Sequence, residues 1–557
     1  MARRAAPALI AAAVLALSGC AGGLGGLPGA QRPEPKAAAP TAAAPPAAVS
    51  PAAKASAVRA AAPVAVDAVS GAAAVPPQST IDQPAPGMVA SWLTTGDQSR
   101  LLQRQPDIAL GAAPRALTPW SPGVETAGPL PASPLVITVD RSARRQRMSG
   151  FGAAISASSA WLLTEKLDPA QRKALLAELF GPPPGIALSV ARLPLGANEF
   201  ALGRYSYNDL PPGQTDDGLA QFSIDPDRAH LLPLLQEALA YNPELELIAS
   251  PASAPGWMKT SGSLLQGTLK PEAFDAYARY LKRYVDVYLE EGIPIHAITV
   301  QNEPSAEPAD APGMRLDDAA RAQLIGKHLG PLLEDEGPLI LDWDGNRDTP
   351  QAPLKVLADK AAGQYVAGVA WHCYAGDVGA QAAVAAAHPG QDSYITECSG
   401  GAWAPAWSDN LTHFARTLVQ GAARGAAKGI MLGNLALDGQ GGPRIGGCRG
   451  CRGVVTVGEG GVVTRNPEYY ALAHASRFAR AGAWRIASGA AKDGVDSAAF
   501  DNPDGTLALI AVNSAAEPRT FTIQAAALAF TATLPPASVA TYVWRPAATP
   551  AAPRDGP

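Results

Sequence analysis

The sequence predicts an α/β fold, a (β/α)8 barrel joined to an accessory β-sandwich. Two observations predict it. Between about residues 145 and 440, eight short apolar, β-branched runs alternate with amphipathic helical stretches, and past about residue 470 the texture changes to short strands separated by turn residues. A chain of 557 residues exceeds one ordinary core and has room for both.

The first element is a leader. Arg3 and Arg4 precede an apolar run, Ala5 to Leu17, too short to span a bilayer permanently. The run ends in Leu17-Ser18-Gly19-Cys20, which is similar to the bacterial lipoprotein signal, in which Cys20 is the lipidated first residue of the mature chain. A plain secretory signal is the alternative. Residues 1–19 are therefore expected to be a signal peptide, with the body held outside the cytoplasm and touching a membrane only through the lipid on Cys20. Residues 20–80 are Ala, Pro, Gly and Ser almost without aromatics, a composition that cannot offset its own ordering entropy, and read as a disordered tether.

The barrel is expected over 146–464. Its strand candidates are Met148–Ala153, Ala187–Leu195, Leu245–Pro251, Ala297–Gln301, Leu339–Trp343, Val366–Trp371, Ser393–Thr396 and Gly429–Leu432, with helical runs such as Pro271–Glu290 and Asp317–Leu333 between them. Continuous apolar runs of this length suit parallel strands buried on both faces. A doubly wound fold would alternate similarly, but no Gly-rich phosphate turn follows an early strand. The sandwich is expected to be antiparallel and built from both ends of the body, 81–145 and 465–547. Its candidate strands include Ser91–Thr95, Ala498–Phe500, Thr506–Val512, Arg519–Ile523 and Ala540–Trp544, and a tail follows over 548–557.

Composition narrows the partners. Only 17% of residues are charged and the net charge is -5, so nothing offers the basic surface that nucleic acid requires. No Cys/His set at metal spacing occurs, and no metal or organic cofactor is expected. Cys448 and Cys451 form a Cys-x-x-Cys in a Gly/Arg-rich loop, open to three readings: a loop disulfide, half a zinc site, or a redox pair. An oxidising compartment favours the disulfide.

Barrel enzymes place function at the C-terminal ends of the strands. Two carboxylates stand there directly after apolar runs. Glu303 follows Ile298-Thr299-Val300-Gln301-Asn302, past the fourth strand, and Glu397 follows Tyr394-Ile395-Thr396, past the seventh. One such Glu merely caps a following helix as readily as it reacts. Two, facing each other across a barrel mouth, suit glycoside cleavage: one acid protonates the leaving oxygen while the other carboxylate attacks the anomeric carbon.

Asn302-Glu303-Pro304, Met148-Ser149-Gly150-Phe151-Gly152-Ala153 and Ala191-Arg192-Leu193-Pro194-Leu195-Gly196 resemble glycoside hydrolase family 30, the glucosylceramidase family. So do Trp257-Met258-Lys259-Thr260, Asn434-Leu435-Ala436-Leu437 and Gly441-Gly442-Pro443. The resemblance runs in order from about Trp92 to Trp544. It implies a retaining β-glycosidase acting on a carbohydrate or glycolipid, with Glu303 as acid/base and Glu397 as nucleophile. It further implies that Asn302 binds the sugar 2-hydroxyl, that Arg192 pairs with the nucleophile and keeps it ionised, that His372 lies near the acid/base and that Tyr374 hydrogen-bonds the nucleophile. Glu199, Trp257 and Asn434 complete the expected substrate contacts. His372 reads equally well as a satisfied core histidine, Arg192 as a structural ion pair and Trp257 as packing.

The departures concern substrate. Glu199 stands where the family carries Asp. Ala252, Gly433, Cys373 and Ala311 stand where it carries aromatics, and Trp343 is a candidate substitute platform. Lost ring faces reshape a glycone pocket. They also motivate the rival reading, a surface glycan-binding lipoprotein without turnover, against which the retained carboxylates, Asn302, Arg192 and Tyr374 argue.

Overall fold

The computed structural model of the protein describes residues 83–113, 135–335, 337–489 and 492–546. The expected leader, Cys20, the tether and the tail lie outside the described residues. No helix among the described residues is long and apolar enough to cross a membrane.

Eight parallel strands close into a barrel in chain order: β1 Gly150–Ala154, β2 Val190–Leu195, β3 Glu246–Pro251, β4 Ala297–Thr299, β5 Leu339–Asn346, β6 Val366–His372, β7 Asp392–Glu397 and β8 Ala427–Asn434. β8 pairs back onto β1 from Gly429 opposite Gly150 onward, which closes the ring. Each of the eight apolar runs overlaps its strand. Around them the helices present one apolar face inward. Phe274–Glu290, for example, buries Phe274, Tyr277, Leu281, Tyr284 and Tyr288, a repeat of three to four residues.

The barrel interior is layered by the period-two alternation of its strands. Val190, Ile248, Ala297, Leu341, Ala370, Tyr394 and Met431 form one buried apolar layer. Two residues further along, towards the C-terminal ends, five of those strands place Arg192, Ser250, Thr299, His372 and Thr396, all buried. A polar floor therefore lies beneath the mouth of the barrel, supported from below by a dry layer.

β5 departs from this alternation. Its pairing with β6 slips between Ala370 and Trp371, and Trp343 and Asp344 adopt φ of 79° and 51°. The bulge turns Asp344 to the polar floor. It sends Trp343 outward, where the ring is buried with Val369, Trp371 and Val384 and its indole N–H donates to the Asn346 carbonyl at 2.9 Å. Trp343 is thus packing beneath the helices, and the expectation that it offers a sugar platform is corrected.

The accessory sheet holds ten strands among the described residues, in the order Gln103–Ala109, Met88–Thr95, Ser538–Trp544, Leu507–Asn513, Val495–Asp501, Trp484–Ala487, Leu135–Arg147, Arg519–Ala525, Leu528–Leu534 and Gly111–Ala112. Both ends of the body contribute. Its core includes Val89, Ile137, Ile486, Leu509, Phe521, Phe530, Tyr542 and Trp544. One pairing is not antiparallel: Leu135–Arg147 runs parallel to Arg519–Ala525, because this long strand serves both halves of the sheet. The helix Pro467–Ser476 joins sandwich to barrel. Its His474 ring is fully buried between the hydroxyls of Thr94 and Thr541, at 2.9 and 3.0 Å. Burial, reinforced by Arg477, pushes its pKa down to about 3, so the ring is neutral and able to donate at one nitrogen and accept at the other.

Candidate active site

The polar floor is organised by Asp344, which the sequence reading passed over. Asp344 Oδ2 accepts from Ser250 Oγ at 2.6 Å, Thr299 Oγ1 at 2.8 Å and Arg192 Nη2 at 2.9 Å. Its Oδ1 accepts from Thr396 Oγ1 at 2.6 Å and faces His372 Nε2 at 3.0 Å. Burial by itself would raise the pKa of this carboxyl, yet the charge of Arg192 and the bonds from His372 and Ser250 hold it well below the ordinary value. A carboxylate with five donors is satisfied even without water.

The two candidate catalytic carboxylates stand above this floor. Arg192 Nη1 donates to Glu397 Oε2 at 2.8 Å, and Tyr374 donates its hydroxyl to Glu397 Oε1 at 2.8 Å, so both oxygens of Glu397 are held. Glu303, four residues past the end of β4, has φ 45°, and its backbone N–H donates to the Asp344 carbonyl at 2.9 Å. The left-handed turn at a non-glycine residue is strained backbone fixed by its surroundings. His372 links the two acids: Nδ1 lies 3.4 Å from Glu303 Oε1 and Nε2 lies 4.0 Å from Glu397 Oε2. Residues 94 apart in the chain are thereby brought to one imidazole.

Charge follows from that geometry. Burial opposes a charged His372, but Glu397, Asp344 and Glu303 outweigh it and push its pKa up to about 10. The cationic ring in turn holds the Glu303 carboxyl below the ordinary glutamate value. In the free site, the proton of this pair rests on His372.

The remaining expected residues are distributed unevenly. Asn302 Oδ1 accepts from Arg192 Nη2 at 2.6 Å, which leaves its amide nitrogen as the group to meet a ligand. Asn434 is buried at the end of β8, and its Oδ1 has no hydrogen-bond partner among the described residues. Glu199 lies on the loop after β2, and burial together with Glu397 and Glu303 pushes its pKa up to about 7. Trp257 is half-buried against the core, and its N–H is committed to Asn208 Oδ1 at 2.8 Å.

Loops after β7 and β8 complete the rim. Cys448 and Cys451 are joined by a disulfide. The segment leading into it is anchored by Ile445 N–H donating to the Glu199 carbonyl at 2.8 Å, and a Cβ at Gly447 would come within 2.6 Å of Glu199 Cβ. On its far side, Gly401 and Gly400 pair with Cys451 and Arg452. Two residues beyond Gly401 stands Trp403, 59% exposed, which the sequence reading also passed over. At Gly433 a Cβ would meet Ser399 Oγ at 2.0 Å, so the place of the expected ring is taken by a serine from the neighbouring loop. A second disulfide, Cys373–Cys398, occupies the position of another expected aromatic.

Paired acids at the mouth of a (β/α)8 barrel, one held at both oxygens and the two sharing a cationic neighbour, define a glycoside hydrolase. The chain belongs to glycosyl hydrolase family 30: the model of that family's TIM-barrel domain matches residues 148–479 and that of its beta sandwich domain matches residues 482–542. The chain is 33% identical over 408 residues to the endo-1,6-beta-D-glucanase neg1 of Aspergillus fumigatus, covering 68% of this chain and 81% of that protein. It is 28% identical over 445 residues to the lysosomal acid glucosylceramidase of Mus musculus, covering 74% and 84%. Among solved structures, the endo-beta1,6-glucanase BT3312 superimposes with a TM-score of 0.73 at 29% identity, covering 82% of this chain and all of that one.

Proposed function

We propose that this protein is a retaining β-glucanase acting on β-1,6-linked glucose polymers, with Glu397 as nucleophile and Glu303 as acid/base. The observation that carries the chemistry is the placement of both carboxylates on the His372 ring while Arg192 and Tyr374 hold the two oxygens of Glu397. In the first step Glu397 attacks the anomeric carbon, the glycosidic bond breaks, and Glu303 gives its proton to the departing oxygen. In the second, Glu303 takes a proton from water, whose oxygen displaces Glu397 from the sugar. His372 is the proton's resting place between turnovers, and Glu303 takes it up as the aglycone oxygen arrives. The Asn302 amide donates to the sugar 2-hydroxyl.

The choice of glucan over glucosylceramide is supported by the names of the relatives at 29–33% identity and by the replacements at Gly433, Cys373, Ala252 and Ala311. Lipid anchoring at Cys20, outside the cytoplasm, would hold such an enzyme against extracellular polymer. The test is a substrate panel. β-1,6-Glucan is expected to be cleaved to oligosaccharides whose first-formed reducing ends are β, with glucosylceramide cleaved far more slowly. First-formed α products would refute retention, preference for glucosylceramide would refute the substrate, and binding without turnover would favour the glycan-binding alternative.

A further inference from the structure

Cys373 and Cys398 are joined by a disulfide whose two ends adjoin residues of the site. Cys373 lies between His372 and Tyr374, and Cys398 directly follows Glu397. The bond falls where the β6–β7 ladder slips. Trp371 pairs with Ile395, but His372 pairs with Glu397, which leaves Thr396 as an extra residue turned to Asp344. Past that bulge the Cys373 N–H donates to the Glu397 carbonyl at 3.2 Å. Cys398 is fully buried, and its carbonyl accepts from Gly433 N–H at 2.8 Å, tying this end of the bond to β8.

Tyr374 needs such support. It is 44% exposed, and its hydroxyl donates to Glu397 Oε1 while accepting from Ser399 N–H at 3.1 Å. A hydrogen bond from a half-solvated ring on a loop competes with water and with ring motion. Arg192 holds one oxygen of Glu397 from the rigid barrel floor, whereas Tyr374 holds the other from a loop. Fixing residue 373 to residue 398 fixes the distance between the backbone carrying the phenol and the backbone carrying the carboxylate.

We propose that the Cys373–Cys398 disulfide is a positioning device for the reaction: it keeps the Tyr374 hydroxyl on Glu397 Oε1 and so sets the plane in which the nucleophile meets the anomeric carbon. The inference rests on the reading of Glu397 as nucleophile. It does not require the cysteines to touch substrate. Misplacement of a reacting group by about 1 Å costs roughly 100-fold in rate, so loosening this loop should be read in turnover.

The test removes both sulfurs, as Cys373→Ala/Cys398→Ala, and follows an aryl β-glucoside. The expected result is a kcat lower by about 10- to 100-fold with KM within about threefold of the parent. In a Tyr374→Phe background the same pair of substitutions should cost less than about threefold, because the group they position is already gone. A folded double variant with parental kcat would overturn the proposal, and so would an undiminished further loss on top of Tyr374→Phe. Should the double variant not fold, dithiothreitol treatment of a Cys448→Ala/Cys451→Ala protein reduces the remaining bond to two thiols, the reagent becoming its cyclic disulfide. Activity is then compared with that protein's own unreduced form, and no change on verified reduction counts against the proposal. A 2-deoxy-2-fluoro-β-glucoside separates the two readings. Labelling of the parent enzyme elsewhere than Glu397 removes the nucleophile assignment, whereas slowed labelling of Glu397 in the cysteine variant supports the positioning role.

Discussion

The carboxylate of Asp344 stands 3.0 Å from Nε2 of His372, with both side chains fully buried beneath the barrel mouth. That pair couples the floor to both acids above it, since the same imidazole reaches Glu303 and Glu397.

Asp344→Asn is therefore expected to damage stability and chemistry together. Arg192 and His372 would lose the anion that faces them in a dry interior, and breaking a buried ion pair from one side costs about 3–5 kcal/mol. Urea denaturation should show an unfolding free energy lowered by that amount, read as a midpoint at lower urea. A midpoint unchanged from the parent would mean the floor is not the charged network described here.

Substituting the two acids should separate their roles. Glu397→Gln is expected to abolish turnover of every substrate. Glu303→Gln should lose about 100- to 10,000-fold on glucan, where the leaving oxygen needs a proton, and much less on aryl glucosides with acidic leaving groups. Equal losses on both substrates would argue against Glu303 as the acid.

His372→Gln tests the resting place of the proton. The cationic ring holds the Glu303 carboxyl down, so its removal should raise the pKa of Glu303. In the parent, however, the proton that Glu303 delivers is stored on His372, whose pKa of about 10 sets where the pair loses it. A lone Glu303 carboxyl loses its proton earlier, and the alkaline limb of the pH–rate profile should move to lower pH. An alkaline limb left in place or moved to higher pH would contradict the charge assigned to this pair.

Glu199 predicts a pH dependence of stability. Its folded-state pKa of about 7 exceeds the ordinary 4.5. The folded state binds the extra proton between those values, so this group's contribution is complete below about pH 4.5 and is lost as pH rises through 7. Glu199→Gln lacks that loss. Its thermal midpoint relative to the parent should climb between pH 4.5 and 7 and then level off, and a flat difference across that range would place Glu199 in a more ordinary environment.

Trp403 is expected to contact polymer beyond the bond being cleaved, since a largely exposed indole on a rim loop presents an apolar face that suits a sugar ring. Trp403→Ala should raise KM for β-1,6-glucan several-fold with little change for an aryl glucoside. Equal effects on both would show that the ring supports the loop instead.

How much of this could be read from sequence depended on the local backbone. The eight barrel runs were legible because strands covered on both faces are continuously apolar, and Glu303 and Glu397 were legible because each breaks such a run at its end. Asp344 was not, and Trp343 was misread, for one shared reason: two consecutive left-handed residues invert which side of β5 each side chain meets, and no alternation rule anticipates that. Leu135–Arg147 was hidden by the charged, solvent-facing residues of its second half. The link between Cys373 and Cys398, 25 residues apart, followed from tertiary placement that pairing rules cannot supply.

The sheet in which Met88–Thr95 lies beside Ser538–Trp544 has a practical corollary. A shortened chain beginning at the barrel would strip the neighbour from one flank of the last strand, baring a row of main-chain donors and acceptors to any similar strand nearby. Proteolysis upstream of β1 should thus be read first as clumping, and only afterwards as a loss of catalysis, even though every reacting group lies downstream of the cut.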